Sequence, residues 1–284
     1  MFLRSKPLPG PNESLPQPEV AEEPRLQPEL VPMEPPLLAP RFPAWSWWDV
    51  LAVLGFTLFT VFLFSMAALF IARHIPQLRR MPLADLATDA RIVVGAQAAA
   101  YPLVLVFIFI LVRSKTRERF AQAIRWNWPA VTAPAFFVGG TVLAIVVESL
   151  SNLLPIPKSL PMDKYFHDAT GAYLLAAFGL TLAPLMEEMF FRGLLYPLLR
   201  STFSLTIAVV VTAAAFAGIH GAQLGYAWGP ILSIFVVGIV FTIVRVRTNS
   251  VAASFLTHCG YNFALFTALW VASDHFRHLE KVAG

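Results

Sequence analysis

Long apolar runs separated by short polar connections fill the chain from about residue 50 onward. A run of about 20 apolar residues is long enough to cross the hydrocarbon core of a bilayer as an α-helix. The pattern therefore predicts an all-α, polytopic membrane helix bundle with about seven transmembrane helices. The predicted spans are residues 50–72, 92–112, 131–150, 172–200, 205–220, 230–244 and 251–272.

The fourth predicted span is longer than a bilayer requires. Residues 172–200 would extend for about 43 Å at 1.5 Å per residue, against a hydrocarbon core of about 30 Å. We expect this span to be tilted or broken, with a kink at Pro184, because proline removes a backbone donor and clashes with the preceding turn. In the third span, Gly139 and Gly140 predict close packing against another helix.

The composition agrees with a membrane protein. Of the 284 residues, 57% are hydrophobic and 13% are charged, whereas soluble domains carry about 25% charged residues. We expect an integral, multi-pass protein, and the bacterial inner membrane is the predicted location. The net charge of +4 is spread over short connections, which suits lipid headgroups and not nucleic acid. The single cysteine, Cys259, excludes an intrachain disulfide or a thiolate metal cluster.

Residues 1–43 differ from the rest of the chain. They hold 12 of the 23 prolines and lack the apolar content that a core needs. This composition predicts a disordered, proline-rich tail, for which a solvated segment is a simpler interpretation than a docking role. We divide the chain into this tail, a transmembrane helical domain at 44–272 and a short tail at 273–284. The positive-inside rule gives only a small preference for a cytoplasmic N-terminus.

Charged residues within the predicted spans need an explanation, because a charge at the centre of a bilayer costs roughly 2.5–3.5 kcal/mol on insertion scales. Glu188 and Arg192 are four residues apart on a helix and can pair directly. Glu187 lies about 100° round the helix from Glu188, so we expect it to face a cavity instead. His258 and Asn262, also four apart, share one helix face and can address one point.

Taken singly, each of these groups has an ordinary structural interpretation. Glu188 with Arg192 can be a structural ion pair, and His258 with Asn262 can be a hydrogen-bonded contact between helices. His220, at the end of the fifth span, can be an interfacial residue. Together they favour one polar, water-filled cavity. Two histidines and a carboxylate can either bind a divalent metal or activate a water without one, and both routes produce a nucleophile for a carbonyl.

Three short motifs hold these residues in order along the chain. EExxxR lies at 187–192, FxxxH at 216–220 and HxxxN at 258–262. Together they resemble the CPBP intramembrane proteases, also called the CAAX-protease and bacteriocin-processing or ABI family, over residues 170–272. The resemblance implies an all-helical membrane endopeptidase related to the enzyme that trims prenylated CAAX proteins. Its partners would be the lipid bilayer and a peptide or protein substrate at the membrane.

The same resemblance implies the catalytic residues. Glu187 would activate the attacking water with assistance from His220, while His258 and Asn262 would stabilise the oxyanion. Supporting roles beside these catalytic residues would fall to Glu188, Arg192 and Phe216. The resemblance leaves the cofactor open between a glutamate-dependent peptidase and a metalloprotease with a divalent ion such as zinc. The metal ligands would then be Glu187, His220 and His258.

Two other classes of function also fit parts of the pattern. A non-catalytic membrane scaffold or bacteriocin-immunity protein on the same fold would act by binding. A proton-coupled transporter would explain intramembrane glutamate and histidine, but it predicts repeat symmetry and polar residues in both halves of the membrane region. The polar residues here are concentrated in the C-terminal half, which favours the endopeptidase.

One feature conflicts with this interpretation. Simple up-and-down spans would place His220 and His258 at opposite faces of the membrane, whereas catalysis requires them to converge. We therefore expect the fifth and sixth helices to be short and tilted, or the predicted boundaries to be displaced by several residues.

Overall fold

The computed structural model describes residues 43–281, and within that range every regular element is helical. The predicted disordered tail at 1–43 therefore lies outside the described residues except for Pro43, and residues 282–284 of the short C-terminal tail lie outside them as well. Helices follow all seven predicted spans in the predicted order, which confirms the all-α membrane bundle.

The first three spans and their connections form five helices. These are α1 (Trp47–His74), α2 (Leu83–Thr88), α3 (Ala90–Lys115), α4 (Phe120–Ala123) and α5 (Ala133–Ser151). The connection after α5 contains a 3₁₀ turn at Pro161–Tyr165, and the fourth span is divided into several pieces. These and the remaining helices are α6 (Ala169–Leu180), α7 (Leu182–Glu188), a π-helical segment (Met189–Leu195), α8 (Tyr196–Thr202), α9 (Leu205–Ile219), α10 (Trp228–Thr248), α11 (Val251–Ala272) and a 3₁₀ turn at Leu279–Lys281.

Five of the seven segments are long and apolar enough to cross a membrane. The sixth, α9, has 15 residues and extends for only about 22 Å, short of a hydrocarbon core of about 30 Å. The seventh, α11, has 22 residues but falls outside this set because its polar side chains, among them His258 and Asn262, lower its hydropathy. The two exceptions are therefore helices that carry predicted site residues.

The helices pass back and forth between two faces of the bundle. At the face where α1 begins, Lys115 pairs with Asp49 at 3.0 Å, and the Val251 amide donates to the Arg125 carbonyl; we call this the N-terminal face. At the opposite, C-terminal face, Arg91 pairs with Asp168 at 3.0 Å.

The side chains on the outside of the bundle are apolar. On α1, Leu58, Phe59 and Phe62 are each about 60% exposed. An exposed apolar surface of this size needs a lipid environment. The protein is therefore an integral, multi-pass membrane protein, as predicted.

Glycines bring α5 and α11 into direct backbone contact. A Cβ atom at Gly140 would overlap the carbonyl oxygen of Thr257, and one at Gly260 would overlap the carbonyl oxygen of Phe137. Thr141 adds a hydrogen bond to the Gly260 carbonyl at 3.1 Å. The predicted close packing is confirmed for Gly140. A Cβ at Gly139 would meet no atom within 4 Å, so this glycine has no role in the contact.

The fourth span is broken rather than simply kinked at its proline. The backbone leaves helical geometry at Thr181, with φ −129° and ψ −79°. Pro184 explains this position, because its ring has no N–H for the carbonyl of Leu180, four residues earlier, and clashes with that carbonyl. Beyond Glu188 the span continues as the π-helical segment. π-helical turns inside α-helices are frequent at functional sites.

Two features near the N-terminal face differ from what the local sequence predicts. Trp45, Trp47 and Trp48 precede the first apolar run closely, which predicts an interfacial aromatic anchor, but Trp45 is 4% exposed and its indole donates to the Leu194 carbonyl at 3.0 Å. The alternation of basic and apolar residues at 113–128 predicts an amphipathic helix on the membrane surface. Residues 113–115 instead complete α3, the remaining helix in this stretch, α4, has four residues, and Ile124 is buried in the core.

Candidate active site

A cavity of about 530 Å³ lies between the helices of the C-terminal half. All four predicted catalytic residues line it, namely Glu187, His220, His258 and Asn262. The supporting pair, Glu188 and Arg192, does not. This separates the two adjacent glutamates as the helical spacing predicted: the Glu187 side chain is 21% exposed and the Glu188 side chain is 0% exposed.

Glu188 and Arg192 form a fully buried ion pair with every charged atom in a hydrogen bond. Nη1 of Arg192 donates to Oε1 of Glu188 at 2.9 Å. Its other nitrogens donate to the carbonyl of Gly238 at 3.0 Å and to the hydroxyl of Thr242 at 3.4 Å. Ser254 donates to Oε2 of Glu188 at 2.6 Å. A buried charge is tolerated when it is paired and hydrogen-bonded in this way.

His258 lies between the two carboxylates. Its Nδ1 is 3.0 Å from Oε1 of Glu188, and its Nε2 is 3.7 Å from Oε2 of Glu187. Because the carboxylate of Glu188 is paired with Arg192 and can only accept, Nδ1 of His258 carries a proton. Glu188 therefore fixes the tautomer and the ring orientation of His258, and Nε2 is the nitrogen that faces Glu187.

The ring of Phe216 connects the ion pair with both histidines. The guanidinium carbon of Arg192 lies 4.5 Å from the ring centroid, a cation–π distance. The rings of His220 and His258 lie at 5.1 and 5.7 Å from the same centroid. At 2% exposure, Phe216 packs against three of the predicted polar site residues. This position gives a physical reason for an aromatic residue in the FxxxH motif.

His220 ends the short helix α9 and is held by its own backbone. Its Nδ1 lies 2.9 Å from the Phe216 carbonyl, which can only accept, so the proton is on Nδ1 and Nε2 is left for the cavity. Since α9 is short, it ends within the bundle, and His220 lines the cavity. The fifth helix is thus short, as expected, and His220 and His258 line one cavity. The expectation of a short sixth helix is wrong, because α10 has 21 residues and is long enough to cross a membrane.

Asn262 links the cavity to the break in the fourth span. Its amide nitrogen donates to the carbonyl of Gly179 at 2.8 Å, two residues before Thr181. An amide group has two N–H donors, so one donor of Asn262 is used in this contact. The oxyanion role predicted for Asn262 therefore depends on its second N–H.

The three-residue metal site stays a prediction without geometric support. Glu187 and His258 approach each other, while His220 contacts the Phe216 ring rather than either of them. Within residues 43–281, no three His, Cys, Asp or Glu side chains form a group that could hold a metal ion. The donor set as arranged does not fit a three-ligand metal centre.

Sequence reasoning did not assign a role to several residues around the ion pair. Ser254 lies four residues before His258 and so shares its helix face, and this spacing is the available signal for its bond to Glu188. The contacts of Arg192 with Thr242 and with the Gly238 carbonyl join residues 50 and 46 positions apart. No local pattern points to such contacts.

Fold and site together define a class of protein: an all-helical, multi-pass membrane protein with a polar cavity that contains a carboxylate, two histidines and an asparagine. Residues 169–264 match the family described as Rce1-like, type II CAAX prenyl endopeptidase. The match covers about a third of the chain, includes all three motifs and confirms the family resemblance that they predicted. No curated protein and no solved structure matches the chain.

Proposed function

We propose that the protein is an intramembrane endopeptidase in which Glu187 activates a water molecule to hydrolyse a peptide bond. The observation that carries this proposal is the pairing of Glu187 with His258 in the cavity. Their facing atoms are 3.7 Å apart, too far for a direct hydrogen bond and close enough for one water to contact both. The family match supports peptide hydrolysis as the reaction.

The proposed reaction assigns the proton movements to Glu187. The water oxygen forms a bond to the carbonyl carbon of the substrate as Glu187 takes one of its protons. Glu187 then gives that proton to the amide nitrogen, and the C–N bond breaks to release an amine and a carboxylic acid. His220, whose Nε2 faces the same cavity, assists by orienting the water or by accepting a hydrogen bond from it.

Stabilisation of the oxyanion is assigned to donors on α11. The second N–H of Asn262 is one such donor. His258 supplies another when it is an imidazolium, because its Nδ1–H is taken by Glu188 and its Nε2–H then points into the cavity. Fixed donors aimed at a developing negative charge are among the largest contributions to catalysis, at about 2.7–4 kcal/mol per donor.

The lining of the cavity limits the class of substrate. It is mainly apolar and, among the described residues, includes no lysine or arginine. An apolar segment of a membrane-associated peptide or protein suits such a wall better than a strongly anionic one. The two candidate substrates are a prenylated CAAX peptide and a peptide precursor of another kind.

A paired proteomic experiment tests the proposal. Membranes from cells that express the parent chain are compared with membranes from cells that express Glu187→Gln, by quantitative mass spectrometry of peptide termini. The proposal expects new termini with the parent only, and the corresponding synthetic peptides should then be cleaved by purified parent protein. Equal termini in both samples, together with an unchanged cellular effect of the variant, would favour a scaffold or immunity function instead.

A further inference from the structure

A second pocket of about 620 Å³ adjoins the catalytic cavity at the C-terminal face. We call it the outer pocket; it includes the polar residues Ser159, Lys164 and His167. Some residues line both the outer pocket and the cavity, and we call this group the partition. The partition consists of Leu160, Asp163, Phe166 and Leu279.

Three members of the partition belong to a well-anchored connection. The amide of Leu160 donates to the Asp163 carboxylate at 2.7 Å, and the Met162 amide donates to the Gln223 carbonyl at 3.0 Å. This connection also continues into a helix at each end, α5 and α6. Leu160, Asp163 and Phe166 are therefore the fixed side of the partition.

Leu279 is on the C-terminal segment, which we define as residues 273–281. This segment folds back through three consecutive residues with positive φ, namely Asp274, His275 and Phe276, at 51°, 63° and 62°. Residues with a Cβ populate this left-handed region sparsely. The turn is held by Phe276, which is 3% exposed and packs edge-on against Tyr173 at 4.9 Å.

The C-terminal segment is the other side of the partition. Its backbone is in a sparsely populated conformation, and apolar contacts hold Leu279 against Ala172 and Phe276. A strained backbone costs free energy, which lowers the free energy needed to displace this segment compared with the core of the fold.

We infer that the outer pocket is a vestibule and that Leu279 selects by size what passes from it into the catalytic cavity. Leu279 lies beyond the family match, which ends at residue 264, so the match assigns it no role. The inference rests on the proposed function for its biological meaning, since it concerns access to the proposed catalytic residues. Access itself can be measured without any catalysis.

A thiol reporter measures this access. The single native cysteine is replaced by Cys259→Ala, and Ser233→Cys places a thiol on α10 at the cavity wall. The full-length protein in lipid nanodiscs is labelled with N-ethylmaleimide, a small reagent, or fluorescein-5-maleimide, a bulky one. Leu279→Ala and deletion of residues 274–284 should raise the rate with the bulky reagent by about tenfold, with little change for the small one. Tenfold corresponds to about 1.4 kcal/mol in an opening equilibrium.

Two further variants make the experiment specific. Leu279→Trp should slow the bulky reagent and leave the small one nearly unaffected. Leu153→Ala makes the same chemical change at a position that is 80% exposed and lines neither pocket, so it should label like the parent. Equal rates for parent and Leu279→Ala, or an equal rise with both reagents, would overturn size selection by Leu279.

A failure of this inference can be told apart from a failure of the proposed function. If labelling responds to Leu279 as expected but no cellular terminus depends on Glu187, the vestibule stands and the proposed protease activity fails. If cleavage depends on Glu187 but the labelling rates do not change in Leu279→Ala, the proposed protease activity stands and size selection by Leu279 fails. With a cleaved peptide in hand, Leu279→Ala should lower KM for variants of that peptide with bulkier side chains, with little change in kcat.

Discussion

Glu187 and Glu188 are adjacent in the chain, yet their carboxylates have different surroundings. Glu188 accepts hydrogen bonds from Arg192, Ser254 and His258 and has no exposed side-chain surface. Glu187 lines the cavity, and its Oε2 lies 3.7 Å from Nε2 of His258. A single turn of helix thus presents one carboxylate that is completely satisfied and one that is available to a ligand.

The difference between the two carboxylates explains how a membrane span tolerates this motif. A buried charge that has lost its partner destabilises a protein, whereas a paired and hydrogen-bonded one is tolerated. Arg192 neutralises Glu188, and Glu188 in turn orients His258. The ion pair therefore acts on the proposed chemistry through His258, while Glu187 contacts the cavity directly. Substitutions of the two glutamates should separate these effects.

The largest expected effect is on activity, from Glu187→Gln. Loss of the general base should lower the cleavage rate roughly 10²–10⁴-fold, with little change in the thermal unfolding temperature, because the carboxylate is not part of the ion-pair network. Peptide cleavage by purified protein in nanodiscs measures the rate. As a control, Asp85→Asn removes an exposed carboxylate on α2 and should keep the parent rate. An active Glu187→Gln variant would contradict the assignment of the base.

The second effect should be on stability, from Glu188→Gln or Arg192→Met. Each leaves a buried charged partner unpaired, which costs about 3–5 kcal/mol, so the unfolding temperature in detergent should fall markedly. The double variant Glu188→Leu with Arg192→Met removes both charges and should be more stable than either single variant. Equal stability of Glu187→Gln and Glu188→Gln would show that the two carboxylates do not differ as described.

A smaller effect is expected from Ser254→Ala, which removes one hydrogen-bond donor from Glu188. Hydrogen bonds to charged groups contribute about 1.5–3 kcal/mol, so the unfolding temperature should fall by less than for Glu188→Gln. Ser149→Ala is the matched control, since its hydroxyl bonds only the Ile145 carbonyl of its own helix. If both serine variants behave alike, the Ser254 contact adds nothing to the network.

The smallest effect concerns Asp89, whose partner Arg91 is half exposed. The hydrogen bond from Arg91 lowers the pKa of Asp89 below its usual value, and burial of the carboxylate opposes this. Since the pKa is lower in the folded state, the stabilisation is complete above the unfolded-state pKa of about 3.9 and is lost as the pH falls through the folded-state pKa.

Asp89→Asn should therefore cost at most about 1 kcal/mol at neutral pH. The difference from the parent should disappear in acid, where Asp89 is protonated in both states. Unfolding temperatures recorded across the acidic range measure this directly. A difference that persists unchanged at the lowest pH would show that Asp89 acts through its uncharged contacts, such as its cap on the amide of Arg91.

The sequence predicted the structure correctly where all the residues involved lie on one helix. The apolar pattern predicted 251–272 as the seventh span, and α11 has these bounds. The four-residue spacing predicted that Glu188 pairs with Arg192 and that Glu187 faces a cavity, and both are observed. In each case, helical geometry alone decides which side chains are neighbours.

Features that depend on packing between helices could not be predicted from local sequence patterns. The contact of His258 with both glutamates joins α11 to the fourth span across about 70 residues. The local sequence does not show that Trp45 is buried, because the carbonyl that accepts its indole N–H belongs to Leu194, 149 residues away. The proline predicted the break of the fourth span, but the π-helical segment has no compositional signature comparable to proline.

The π-helical segment at Met189–Leu195 has a consequence for protein engineering. A π turn holds one more residue than an α turn, and one residue corresponds to about 100° of α-helical rotation. The residues before and after the segment therefore do not fall on a single helical wheel. A graft of 182–202 onto a straight helix would keep Glu188 beside Arg192 but would turn Leu199 away from α9. The transplantable unit is thus the motif together with its irregular turn.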